Sequence, residues 1–145
     1  MVYSFSKHDN IWSIHFNENL HTTVSQNKGF LHAVMNMPYV ITSEKFSGHK
    51  LEAREARQRE LLLSLEKTLD FPAIQTVTVL YDDHKFVEYL RQNKVDERKL
   101  QLHYMPKVIT TANFFEFLSE RMIGKLLMVM NADNFPSGTE YEKVL

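Results

Sequence analysis

A chain of 145 residues, 43% apolar and 24% charged, has the size and composition of one packed domain, which excludes the disordered and membrane-spanning classes. Its net charge of -1 gives no long-range field to gather nucleic acid or anionic lipid, so an anion site must be built locally from amides, single basic residues or a metal. The lack of cysteine removes disulfide frameworks, thiolate nucleophiles and Cys-ligated zinc, and fits a reducing cytosol.

Met1 to Asn10 carries Ser, Lys, His and Asp without an apolar core, so it does not read as a secretory signal, and no membrane segment follows. As sequenced the chain reads as cytoplasmic; a place in the Golgi lumen would require an anchor upstream. Ile11 to Phe16 alternates, with Trp12, Ile14 and Phe16 on one face, and predicts a short half-exposed strand. Asn17 to Met37 is mixed and polar and yields no assignment. Tyr39 to Phe46 follows Pro38, begins apolar and turns polar at Thr42-Ser43-Glu44, which predicts a strand opening onto a site, with Gly48 at its exit.

From Leu51 to Leu69 nearly every residue is a good helix former, with Leu61, Leu62, Leu65 and Leu69 on one face. Arg54, Arg57 and Arg59 read most simply as its solvated side, paired with Glu55 and Glu60. Pro72 closes this helix, and the β-branched run Thr76 to Tyr81 reads as a strand ending in Asp82-Asp83, either of which can cap the next helix. That helix presents Phe86, Val87 and Leu90. Leu100 to Tyr104 alternates as a short strand, and Thr110-Thr111-Ala112-Asn113 opens a third helix, where Asn113 and Glu116 have capping-box spacing. Phe114, Phe117, Leu118 and Met122 form its buried stripe, and Gly124 suits a left-handed cap.

The apolar run Lys125-Leu126-Leu127-Met128-Val129-Met130 then stops abruptly at Asn131-Ala132-Asp133-Asn134. In open α/β sheets the ligand crevice lies outside the carboxyl ends of the strands, so acid and amide at such an end mark a place for chemistry. Asp133 and Asn134 equally suit a plain turn before Pro136-Ser137-Gly138. The alternation of strands and helices, with connections long enough for right-handed crossovers, predicts an α/β fold with a mainly parallel sheet and flanking helices. Residues 1–37 read as an amino-terminal extension and 38–145 as the α/β unit.

On these residues the chain resembles the GT-A-fold nucleotide-sugar glycosyltransferases. Thr76-Val77-Thr78-Val79-Leu80-Tyr81-Asp82-Asp83 looks like their second strand, which ends in acid near the nucleotide base. Thr110-Thr111-Ala112-Asn113, a helix, Gly124 and the run to Asn131-Ala132-Asp133 resemble the segment leading to the Asp-x-Asp motif. Val40-Ile41-Thr42-Ser43 and the Arg57-to-Leu65 helix fit the opening unit, so the match spans roughly residues 38 to 140. The resemblance implies the nucleotide-binding half of a partial GT-A, Rossmann-like fold that takes a nucleotide-sugar donor. It implies nucleotide contacts at Thr42, Ser43, Asp82, Asp83, Asn113 and Asn131, and a divalent cation, manganese or magnesium, held by Asp133 on the diphosphate. Hard oxygen ligands suit those ions, which would act as Lewis acid and template.

Asn131 stands where the motif has its first Asp; it can accept from a ribose hydroxyl but adds no charge. The family's acceptor-binding half and catalytic base lie beyond the motif, so the catalytic residue and acceptor stay unassigned, and a chain ending at Leu145 is expected to bind donor without useful turnover. An uncovered sheet edge would also favour self-association. Two alternatives carry different functions: a non-catalytic nucleotide-binding or interaction module, and a degenerate response-regulator receiver domain with Asp82-Asp83 as its acidic pair. Aligning that second alternative on Pro136 places Ala132 at the phospho-acceptor position. The seven histidines show no i, i+4 metal-binding pair, and only His84, beside the acidic pair, stands near candidate chemistry. No Gly-rich phosphate loop occurs.

Overall fold

The computed structural model describes residues 3–8, 11–15, 31–106 and 109–136. Among them lie β1 (Tyr3–His8), β2 (Ile11–His15), β3 (Leu31–Asn36), α1 (Leu51–Leu69), β4 (Ile74–Tyr81), α2 (Lys85–Gln92), β5 (Leu100–Tyr104), α3 (Thr111–Arg121) and β6 (Leu126–Val129). They form one sheet in the order β2-β1-β6-β3-β4-β5. β3 runs parallel to both β4 and β6, and β4 runs parallel to β5. β1 is antiparallel to β2 and to β6, with Tyr3 opposite Leu127 and Ser4 opposite Leu126. The fold is α/β: four parallel strands flanked by three helices, with an antiparallel hairpin on the β6 side.

The first parallel strand is Leu31–Asn36, and this corrects the expectation of a strand over Tyr39 to Phe46. Residues 40–42 turn, and Glu44–Phe46 is a single 3-10 turn. Pro38 explains the exchange, because it has no N–H to continue the ladder; Met37 N donates the last bond, to Leu80 O at 2.9 Å. The residue-38 boundary therefore falls just after the central strand. β2 occupies Ile11–His15, and Phe16 lies outside the described residues.

β3 is central because its middle side chains are apolar on both faces. Ala33, Val34 and Met35 are all fully buried, as a parallel strand covered by helices requires. Ala33, Met35, Val77 and Val79 pack with Leu61, Leu65 and Leu69 of α1 and Phe86 and Leu90 of α2. Val34, Leu80 and Leu127 point the other way, against Phe114, Leu118 and Met122 around α3. Right-handed crossovers produce this division when the chain winds outward through β4 and β5 and then returns across β3 to β6.

Counted from β3, the parallel strands lie in the order 3-2-1-4, the order of a Rossmann-like doubly-wound sheet across its switch point. The receiver alternative requires 2-1-3-4-5, with its first strand beside the third, whereas here β3 lies between β4 and β6. Gly124 adopts φ +77° as its position requires. The α3 cap is Thr110 and not Asn113: Asn113 N donates to Thr110 Oγ1 at 3.2 Å, which sets the helix start three residues earlier than the Asn113–Glu116 spacing suggested. No helix among the described residues is long and apolar enough to cross a membrane.

Candidate functional site

Because β3, β4, β5 and β6 are parallel, the residues following each strand gather at one edge of the sheet. The topological switch point lies there, between the ends of β3 and β6. The start of α1 ties the β3 loop down. Gln58, fully buried, accepts from Val40 N at 2.6 Å and donates to Pro38 O at 3.3 Å. One turn earlier Arg54 donates to Ile41 O. These bonds satisfy backbone groups that the missing ladder would have left buried and unpaired.

The same loop reaches β4. Thr42 Oγ1 donates to Asp83 Oδ2 at 3.0 Å, and Lys85 N donates to Asp83 Oδ1 at 2.9 Å, so Asp83 both caps α2 and anchors the loop. Asp82 is different: it is exposed and has no hydrogen-bond or ion-pair partner among the described residues. It lies on the wall shared by two adjoining cavities, together with Pro38 and Ser43.

The first cavity, ≈ 510 Å³, includes Tyr39, Asp82, His84, Lys85 and Tyr104. His84 and Tyr104 stack at 4.1 Å and 28°, with Tyr81 5.6 Å behind Tyr104. Burial raises the Tyr39 hydroxyl above its ordinary pKa, helped by the negative charge of Asp83 and then Glu88, so this cavity is aromatic and acidic. The second, ≈ 560 Å³, includes Asn36, Lys45, Phe46 and Ile109. It carries the edge's amide and an ammonium, with the carboxylates of Glu44 and the shared Asp82 on the same lining. A third depression, ≈ 360 Å³, lies at the opposite edge against Asp70, Asp96 and Lys99.

Thr42, Ser43, Asp82 and Asp83 are thus brought together. Asp133 lines neither cavity: Arg57 Nη2 of α1 donates to its Oδ2 at 3.0 Å, while Arg57 Nη1 reaches Glu60 at 2.9 Å. Glu60 first, and then Asp133, hold the Arg57 guanidinium more firmly protonated against a small burial cost. The segment after β6 continues over α1, with Lys67 Nζ 4.1 Å from the centre of the Phe135 ring. Asn131 is exposed and its carbonyl accepts from Asn134 N at 3.0 Å, the plain turn that Asx residues favour. Asn113 lies in the first turn of α3 and lines neither of the two cavities.

No group of three His, Cys, Asp or Glu side chains among the described residues could hold a metal ion. The donor set at Asp133 fits a divalent cation poorly, since its carboxylate already faces a guanidinium. Sequence reasoning missed Asn36, Tyr39, Lys45, Gln58 and Tyr104. Tyr104 had a signal, as the last residue of an alternating strand, and Gln58 falls in register with Leu61, Leu62 and Leu65. Asn36 was hidden with its strand. In comparisons with protein-family models, curated proteins and solved structures, nothing matches this chain.

Proposed function

We propose that the carboxyl edge of this sheet binds the nucleoside diphosphate portion of a nucleotide-sugar donor, as the likeness to glycosyltransferases suggested. The observation that carries the reading is the pair of adjoining cavities sharing Ser43 and Asp82 at the end of a 3-2-1-4 parallel sheet. Aromatic faces and carboxylates in the first cavity suit a base and its ribose hydroxyls. In the second, Asn36 and Lys45 suit the phosphates, while the Glu44 carboxylate on the same lining suits sugar hydroxyls.

A cation at Asp133 would have to compete with the Arg57 guanidinium that its carboxylate already faces. Titration with and without manganese reads whether one joins the complex. A non-catalytic nucleotide-binding module would present the same groups. Equilibrium titration of the chain with nucleoside diphosphates and their sugar conjugates is the test. Saturable binding is expected, weakened at least tenfold, about 1.4 kcal/mol, in Ser43→Trp, which fills the shared wall. If no nucleotide binds, or if Ser43→Trp binds as wild type does, the reading fails.

A further inference from the structure

The bases differ in the donors they offer to a carboxylate. Guanine places N1–H and the 2-amino group side by side on one edge, a pair that matches the two oxygens of a single carboxylate. Uracil has one N–H flanked by carbonyls, while adenine and cytosine set their amino group beside a ring acceptor. An ionised carboxylate can only accept, so it rewards two adjacent donors and repels a flanking carbonyl.

Only one carboxylate at the end of β4 is available for that pairing. Asp83 spends one oxygen on Thr42 and the other on Lys85 N. Asp82, next to it, has no hydrogen-bond or ion-pair partner among the described residues and borders the cavity holding the stacked His84 and Tyr104 rings. Tyr104 is 40% exposed, so the stack offers surface to a planar ligand. The ≈ 510 Å³ cavity has the volume class of small-molecule sites.

We propose that this cavity selects a guanine nucleotide, the base lying against the His84–Tyr104 stack and its N1–H and 2-amino group donating to the Asp82 carboxylate. This rests on the nucleotide-binding reading above and names the nucleotide it takes. Asp83, Thr42 and the α2 start hold the strand end in place, so Asp82 projects from a fixed backbone and needs no loop to close. Hypoxanthine keeps N1–H but lacks the amino group, which makes inosine diphosphate the sharpest comparison.

The test is calorimetric titration of the full chain with GDP, inosine diphosphate, UDP and ADP. GDP is expected to bind roughly tenfold or more tighter than the other three, the discrimination of one bidentate pair. Asp82→Asn exchanges one acceptor for a donor, so GDP affinity should fall by a similar factor and xanthosine diphosphate, which has N1–H beside a carbonyl, should gain. Asp82 is exposed, so the variant should keep the wild-type circular dichroism spectrum. Equal affinity for GDP and inosine diphosphate, or tighter binding of UDP or ADP, would overturn guanine selection while leaving nucleotide binding intact. If none of the four binds, both proposals fall.

Discussion

Gln58 shows how one buried polar side chain can replace a missing piece of sheet. Pro38 ends β3, yet the chain beyond it must stay packed, and Val40 is 2% exposed with its N–H turned inward. The Gln58 amide answers both the Pro38 carbonyl and the Val40 N–H from the apolar stripe of α1. Replacing it by the near-isosteric Leu keeps the volume but strands the Val40 N–H, a loss of about 1–3 kcal/mol. Urea unfolding of Gln58→Leu checks this; a stability within a few tenths of a kcal/mol of wild type would show that water can reach Val40 N. The loop should also loosen, because Thr42 and Ser43 lie on the stretch that Gln58 anchors.

At the scale of elements, α2 ends on a residue that no helix signal marks. Lys94 has φ 54°, the left-handed conformation that usually falls to glycine, and Val95 N closes the helix end on Leu90 O at 3.2 Å. Lys94→Gly should therefore stabilise the protein by about 0.5–1 kcal/mol, the left-handed penalty less the added freedom of the unfolded chain. Lys94→Ala should not, and an equal gain in both would remove the backbone explanation. What could be read from sequence follows the same division. α1, β4, α2, β5, α3 and β6 were legible because their apolar spacing and punctuation agree with their packing. β3 was not, because His32 and Asn36 break a short apolar run. His32 is accommodated by a bond between its Nδ1 and Thr76 Oγ1 at 2.7 Å, a partner forty-four positions away that no local window can see. The acid at the end of β4 was legible, since an apolar run stopping in Asp82-Asp83 is a local event. The partners that distinguish Asp82 from Asp83 come from the loop after β3 and from α2, so only the folded chain separates their roles.

For the whole molecule, two histidines link folding to pH. Burial, then the charge of Lys125, lowers the His32 pKa below its ordinary 6.5; burial, then Arg121, does the same for His103, whose ring packs 4.5 Å from Phe117. The unfolded chain therefore takes up protons near pH 6.5 that the native state resists, so stability rises with pH across this window. Stability should be complete above about pH 7 and should decline as pH falls toward 5. Asp96, held at about 2 by the Arg98 side chain, matters only in stronger acid. Urea midpoints at pH 7.5 and 5.0 test this. His32→Gln, which can still bond Thr76, should flatten the difference, and an unchanged slope in that variant would assign the effect elsewhere.

The sheet order places the strand ends at one edge, and the central claim is that this edge, and not the opposite one, takes a nucleotide. Amide chemical-shift mapping during titration with a nucleoside diphosphate tests it residue by residue. The account predicts saturable shifts at Ser43, Asp82, His84, Lys85 and Tyr104, around the cavity bordered by Asp82. Shifts confined to Asp70, Asp96 and Lys99 at the opposite depression, or none at all, would contradict it.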